Sequence, residues 1–190
     1  MLKRIAAFGE DFAHKIIVDA LIVRVAQESQ VRVEVAWRSA RRGYGKVVSE
    51  LKEYYRDLKA QGPSPELIVI ATDANCKGFY ERAKEIPSFQ PSPVVTVLAI
   101  PDPHVERWLL LDGAAFRKVF GKGCVAPDLK CARDRYKQAL IQAIREAGIE
   151  PALGGVEFAK EIIDAMDLPR AANADRSFAR FLDGLRDALR

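Results

Sequence analysis

Acidic and amide side chains gather just past the ends of three apolar runs. Glu10 and Asp11 follow Phe8-Gly9, Asp73 and Asn75 fall in Ala71-Thr72-Asp73-Ala74-Asn75, and Asp102 and Glu106 fall in Ile100-Pro101-Asp102-Pro103-His104-Val105-Glu106. If these runs are strands of an open α/β sheet, their carboxyl ends share the edge where such folds bind ligands. Carboxylates brought close together repel one another unless a cation compensates, and oxygen donors suit Mg²⁺ or Mn²⁺. Glu10, Asp73, Asn75, Asp102 and Glu106 are therefore candidate metal ligands. Helix capping is the competing explanation for Asp11, Asp73 and Asp102, each of which precedes a helical pattern. Capping does not account for Glu10, a poor cap, or for Glu106, placed four residues after Asp102 on one face of the expected helix.

Cations and histidines lie near the same positions. Arg38, Arg41, Arg42 and Lys46 form a run without an acid between the second strand and its helix, suited to phosphates or simply to a solvated loop. Lys77 follows Asn75 and could face a phosphate or only solvent. His104 could move a proton, although a histidine at a helix start with no role is the plainer reading, and the same holds for His14. Cys76, in a first helical turn, could be a thiolate nucleophile, but no paired base is evident. Gly43-Tyr44-Gly45-Lys46 and Gly121-Lys122-Gly123 lack the spacing of a P-loop, and no Gly-x-Gly-x-x-Gly follows the first strand.

The elements that must position these groups alternate. Arg4 to Phe8 reads as a strand and Asp11 to Gln27 as a helix. Val31 to Trp37 alternates apolar and polar residues, as a strand near an edge does. Lys46 to Ala60 is helical. Leu67 to Ala71 and Val94 to Ile100 are almost wholly apolar, which predicts central parallel strands covered on both faces. Beyond residue 112 the pattern turns helical, over Asp128 to Ala147, Val156 to Met166 and Arg176 to Leu189. Trp37 and Trp108 read as core. The expected fold is an α/β, Rossmannoid parallel sheet of about four strands between helices, with a C-terminal helical appendage: a core over 1–121 and an extension over 122–190, in one structural unit.

The 190 residues are 49% hydrophobic and 29% charged, and 30 bases against 26 acids give a net charge of +4, which permits nucleic acid without requiring it. No apolar run is long enough to span a bilayer, so no membrane partner is expected and a cytoplasmic location is. The three cysteines, Cys76, Cys124 and Cys131, form no Cys-x-x-Cys pair, so reduced thiols are expected.

Gly9-Glu10-Asp11 before a helix, Thr72-Asp73-Ala74-Asn75 after an apolar strand, and the Pro-x-x-x-Glu-x-Trp-Leu-Leu-x-Asp segment together resemble the TOPRIM-like domains of bacterial defence nucleases. That family is related to the overcoming-lysogenization-defect nucleases and to small stand-alone TOPRIM-like proteins. The resemblance covers about residues 3 to 120. It implies a TOPRIM fold and Mg²⁺ held by Glu10 and Asp73, with Asn75 where a second aspartate is usual and Glu106 at the acidic position of the third motif. Asp11 and Asp112 are weaker candidates. It further implies metal-dependent phosphodiester hydrolysis of DNA or RNA, in phage defence or DNA processing, with Glu10, Asp73 and Glu106 as catalytic residues. The alternative is a non-catalytic module, with Asn75 marking a decayed site, that acts with a partner such as an ATPase or another defence-system protein.

Overall fold

The structure is a computed structural model that describes residues 2–39, 43–60, 64–87 and 94–190. Strands and helices alternate through the first half: β1 (Leu2–Gly9), α1 (Phe12–Glu28), β2 (Arg32–Ser39), α2 (Tyr44–Ala60), β3 (Leu67–Ala71), α3 (Phe79–Glu85) and β4 (Val95–Ala99). Helices follow: α4 (Glu106–Leu109), α5 (Gly113–Phe120), α6 (Arg135–Glu146), α7 (Ala159–Ala165), α8 (Leu168–Ala174) and α9 (Arg176–Leu189). The four strands form one all-parallel sheet in the order β2-β1-β3-β4. The chain leaves β1 in one direction to make β2 and returns past it to make β3, so the β1/β3 border is the topological switch point, the usual ligand crevice of such sheets.

Alternation along the strands divides the core. Ile5, Ala7, Val69, Ala71, Val97 and Ala99 join the α1 residues Ile17, Leu21 and Val25 and the C-terminal residues Phe178, Phe181 and Leu185 in one large cluster. Ala6, Phe8, Ile68 and Ile70 meet Val47, Leu51 and Tyr55 of α2 on the opposite side. Both α7 and α9 lie against α1, and α9 also lies along β4, so α9 covers the sheet directly. Trp108 stacks on Phe181 at 5.5 Å between ring centroids and hydrogen-bonds through Nε1 to Ser177 Oγ at 3.1 Å. Trp37 is half-buried instead, its Nε1 donating to Asp19 Oδ1 at 2.7 Å. Among the described residues, no helix is long and apolar enough to cross a membrane.

Several expectations need correction. β4 is an edge strand and not a central one: it pairs with β3 alone among the described residues, and Val95 is 53% exposed. The helix expected from Asp128 begins only at Arg135, after Asp134 adopts a left-handed φ of 56°. In the preceding loop the Tyr136 hydroxyl replaces helical bonds by donating to Asp128 O and accepting from Lys130 N–H, both at 3.0 Å. Asp102 does not share a helical face with Glu106, since α4 starts only at Glu106. The sequence reading also passed over α5 and α8. The expectation of reduced thiols fails in part: Cys76 and Cys131 are disulfide-bonded, and only Cys124 is free. Cys76 is thereby excluded as a thiolate nucleophile.

Asp112 shows what holds α5 and α8 together. Buried beside them, its carboxylate accepts the N–H groups of Ala114 (3.0 Å) and Ala115 (3.2 Å) at the start of α5, that of Asp167 (2.9 Å) before α8, and Arg170 Nη2 (2.6 Å). A single carboxylate thus caps one helix and fastens the next.

Two outcomes are expected from these linkages. Burial alone would raise the Asp112 pKa, but the hydrogen bonds outweigh it and hold the carboxyl below its usual 3.8. A depressed folded-state pKa contributes stability above the unfolded value that is lost as pH falls through the folded one. Asp112→Asn should therefore cost about 2 kcal/mol near pH 7, and the difference from wild type should shrink below about pH 4 in acid denaturation curves. The Cys76–Cys131 bond closes 55 residues of sequence separation. Its loss in Cys131→Ser should lower the melting temperature by roughly 10 °C, corresponding to about 4 kcal/mol, and dithiothreitol should lower the wild type to match.

Candidate metal centre

Parallel pairing places the candidate groups. Gly9 is opposite Ala71 in the β1/β3 register, so Glu10 and Thr72 leave the sheet side by side, and the Thr72 hydroxyl donates to Glu10 Oε1. One residue on, Asp73 lies over the switch point. Asp11 caps α1 by accepting His14 N–H at 3.0 Å, which places His14 in the first helical turn, facing back to the strands. Gly9 packs closely here: a Cβ there would lie 3.2 Å from the Trp37 ring, a tight approach, and 3.4 Å from His14 Cβ, an ordinary contact.

His14 is fully buried between two carboxylates. Nδ1 lies 2.8 Å from Asp11 Oδ1 and Nε2 lies 3.0 Å from Asp73 Oδ1. The second oxygen of Asp73 meets His104 Nδ1 at 3.0 Å, and Val105 N–H donates to Asp73 Oδ1 at 2.9 Å. Asp73 therefore caps the turn that opens α4 and not its own following turn. Arg82, buried on α3, donates through Nε to the Asp73 backbone oxygen at 2.8 Å and lies over the Tyr44 ring at 4.1 Å.

The electrostatics follow from this arrangement. Burial would raise the Asp73 pKa, but the two imidazoles hold it down at about 2. Burial would lower that of His14, yet Asp73 and Asp11 carry it well above 6.5, which favours the protonated ring. The hydrogen bond to Asp73 raises His104. Burial raises Glu10, with Asp73 adding to it against the Thr72 and His14 contributions. Glu106 is raised by burial and then by Asp73.

Glu10, His14 and Asp73 offer ligand atoms that all lie within 4.8 Å of one another, close enough to hold a metal ion. The donor set fits one once the proton on His14 Nε2 is given up, because only the neutral imidazole is a ligand. Asp11 fixes the His14 ring through Nδ1 and leaves Nε2 on the side of Asp73, the carboxylate–histidine arrangement that orients imidazole ligands. Of the residues expected from sequence, Glu10 and Asp73 belong to the group. Glu106 is close enough to feel Asp73 but is outside it, and Asp102 lines a separate cleft. Asn75, held at a φ of 50° with its N–H on Pro103 O at 3.0 Å, lines that cleft too. Arg38 lies over the Tyr54 ring at 4.8 Å, Lys46 pairs with Glu50 at 2.8 Å, and Lys77 pairs with Glu85. Arg41 and Arg42 lie outside the described residues. His14 is the candidate ligand that sequence reading set aside; the available signal was its spacing, three residues after a capping aspartate and four after Glu10.

Compared with protein-family models, curated proteins and solved structures, the chain gives no significant match. The TOPRIM-like resemblance thus rests on its short motifs alone.

Glu10→Gln keeps an oxygen for the Thr72 hydroxyl while removing a charge that burial and Asp73 disfavour. Without divalent cations this variant should melt roughly 2 °C above wild type at neutral pH. The gain should vanish in acid, where the wild-type carboxyl is protonated. A lower melting temperature would mean that attraction to His14 outweighs burial.

Proposed function

We propose that this protein is a divalent-cation-dependent phosphodiesterase acting on nucleic acid, with the cation held by Glu10, His14 and Asp73. The observation that carries the reading is the convergence of these three donors on the switch-point crevice, from two adjacent strand ends and one helix start. Between the expected ions, an imidazole with two carboxylates favours Mn²⁺ over Mg²⁺, which prefers oxygen and water. Once bound, such an ion would polarise a phosphate oxygen and lower the pKa of a water.

The chain's own groups have definable parts. Thr72 orients Glu10, and Asp11 orients His14. His104, held by Asp73 through Nδ1, can carry a proton at its other nitrogen, and Glu106, whose pKa burial raises, is a second proton carrier beside it. Arg38, Arg41, Arg42, Lys46 and Lys77 remain candidates for backbone phosphates, although Arg38, Lys46 and Lys77 already have partners in the chain. A role in phage defence or DNA processing belongs to the same proposal. So does a cytoplasmic location, against which the Cys76–Cys131 bond argues, since reducing compartments keep thiols open.

A second reading draws on another observation. Both Asp73 oxygens are already satisfied by His14, His104 and Val105 N–H, so the network is complete with protons alone. This favours a non-catalytic module, docking on an ATPase or other defence-system protein.

The two separate experimentally. Plasmid DNA and single-stranded RNA are incubated with Mn²⁺ or Mg²⁺ and the purified chain, alongside Glu10→Ala, His14→Ala and Asp73→Ala. The phosphodiesterase reading expects cation-dependent cutting that each variant loses. It also expects stabilisation of the wild type by about 2.7 kcal/mol at a cation concentration of about 100 times Kd. A wild type as inert as its variants, with no thermal shift, supports the module instead.

A further inference from the structure

A cleft beside the metal-binding group has no part in the function proposed above. One portion, about 360 Å³, is walled by the Cys76–Cys131 disulfide and Lys130; the next, about 620 Å³, is walled by Tyr80, Arg176 and Arg180. Lys77, Gly78, Asp102 and Leu129 line both, so the two adjoin. The floor is the pair of loops after β3 and β4, joined where Ala74 N–H donates to Pro101 O at 2.9 Å and Asn75 N–H to Pro103 O at 3.0 Å. Asp73 of the candidate centre and His104, which is bonded to it, flank these loops in sequence, so residues lining the cleft are chain neighbours of that centre.

Its chemistry selects an occupant. Arg176 and Arg180 stand four apart on one face of α9, and Lys130 lies on the disulfide side. Among the described residues none of the three is in an ion pair, whereas Asp175 is taken by Arg107 and Glu81 by Lys84. Asp102 leaves one carboxylate facing the cleft. Tyr80 is 66% exposed and yet fixed: Arg180 lies 4.8 Å over one ring face and donates to its hydroxyl at 3.0 Å. A fixed, exposed aromatic beside unpaired cations offers a base a stacking surface and its phosphates counter-charges. Duplex bases already stack on each other, so this offer favours unpaired ones. The Asp102 carboxylate adds an acceptor for a base N–H, such as the thymine imide.

We infer that this cleft holds a single-stranded segment of nucleic acid, one base on Tyr80 and the adjoining phosphates at Arg176, Arg180 and Lys130, and leads its backbone to Asp73. The inference rests on the phosphodiesterase reading and names its substrate class.

Binding is measured by fluorescence anisotropy in EDTA, so that cation chemistry plays no part, with a labelled 15-nucleotide thymidine strand and a duplex of equal length. The single strand should bind at least about ten-fold more tightly than the duplex. Tyr80→Ala should weaken it about ten-fold, whereas Tyr80→Phe, which keeps the ring but loses the hydroxyl that Arg180 holds, should weaken it by less. Arg176→Glu with Arg180→Glu should flatten the slope of log affinity against log salt by about 1.4. Equal affinity for the duplex, or undiminished binding by Tyr80→Ala, overturns the inference. Cutting with Mn²⁺ but no single-strand preference would refute this cleft and spare the phosphodiesterase; tight Tyr80-dependent binding with no cutting would do the reverse.

Discussion

The buried carboxylate of Asp73 is the constraint on which the carboxyl edge of the sheet depends. A carboxylate removed from water is costly unless each oxygen is hydrogen-bonded and its charge is matched. Here Oδ1 accepts from His14 and from Val105 N–H, and Oδ2 from His104. Those donors come from the first turn of α1 and from the loop after β4, and Arg82 of α3 holds the backbone of the same residue. Satisfying this one residue, side chain and backbone together, therefore fixes the relative positions of four chain segments.

The same network explains why the centre has the composition it has. Three acids, Glu10, Asp11 and Asp73, surround His14, and the protonated ring that this favours supplies a positive charge among them. A cation-binding cluster and a protonated histidine network are thus two ways of solving one electrostatic problem, the repulsion of clustered carboxylates. Networks of this kind are weak evidence for stability, because replacing buried ion pairs by apolar groups often stabilises a protein. Their presence at a ligand crevice points more naturally to position than to stability.

The C-terminal helices are tied to this edge by a second buried pair. Arg107 of α4 bonds Asp175, which caps α9 through Phe178 N–H at 2.9 Å, while Ser177 Oγ accepts from Asp102 N–H at 3.1 Å and from Trp108. The start of α9 is thereby fastened to the loop after β4, and its length runs along β4 to Ala188, whose carbonyl takes the Lys3 ammonium at 2.7 Å. This helix supplies a wall of the cleft and a face of the core together.

Local pattern alone determined the alternation of strands and helices, the bounds of Leu67–Ala71 and Arg176–Leu189, the edge character of β2, and the placing of Glu10 and Asp73 at strand ends. Each follows from side-chain periodicity, which a short window contains. Only the tertiary structure decided that β4 is also an edge, because an apolar run reports burial by whatever covers it, and α9 covers this one from eighty residues away in the chain, roughly the length that no window spans. The same holds for Cys76 with Cys131, for the late start of α6, and for α5 and α8, joined by Asp112 across 55 residues. His14 entered the candidate centre, and Asp102 left it, for one reason. Spacing places a residue on an element, but a binding site is made where separate elements meet, and that meeting was set by the hydrogen-bond demands of Asp73.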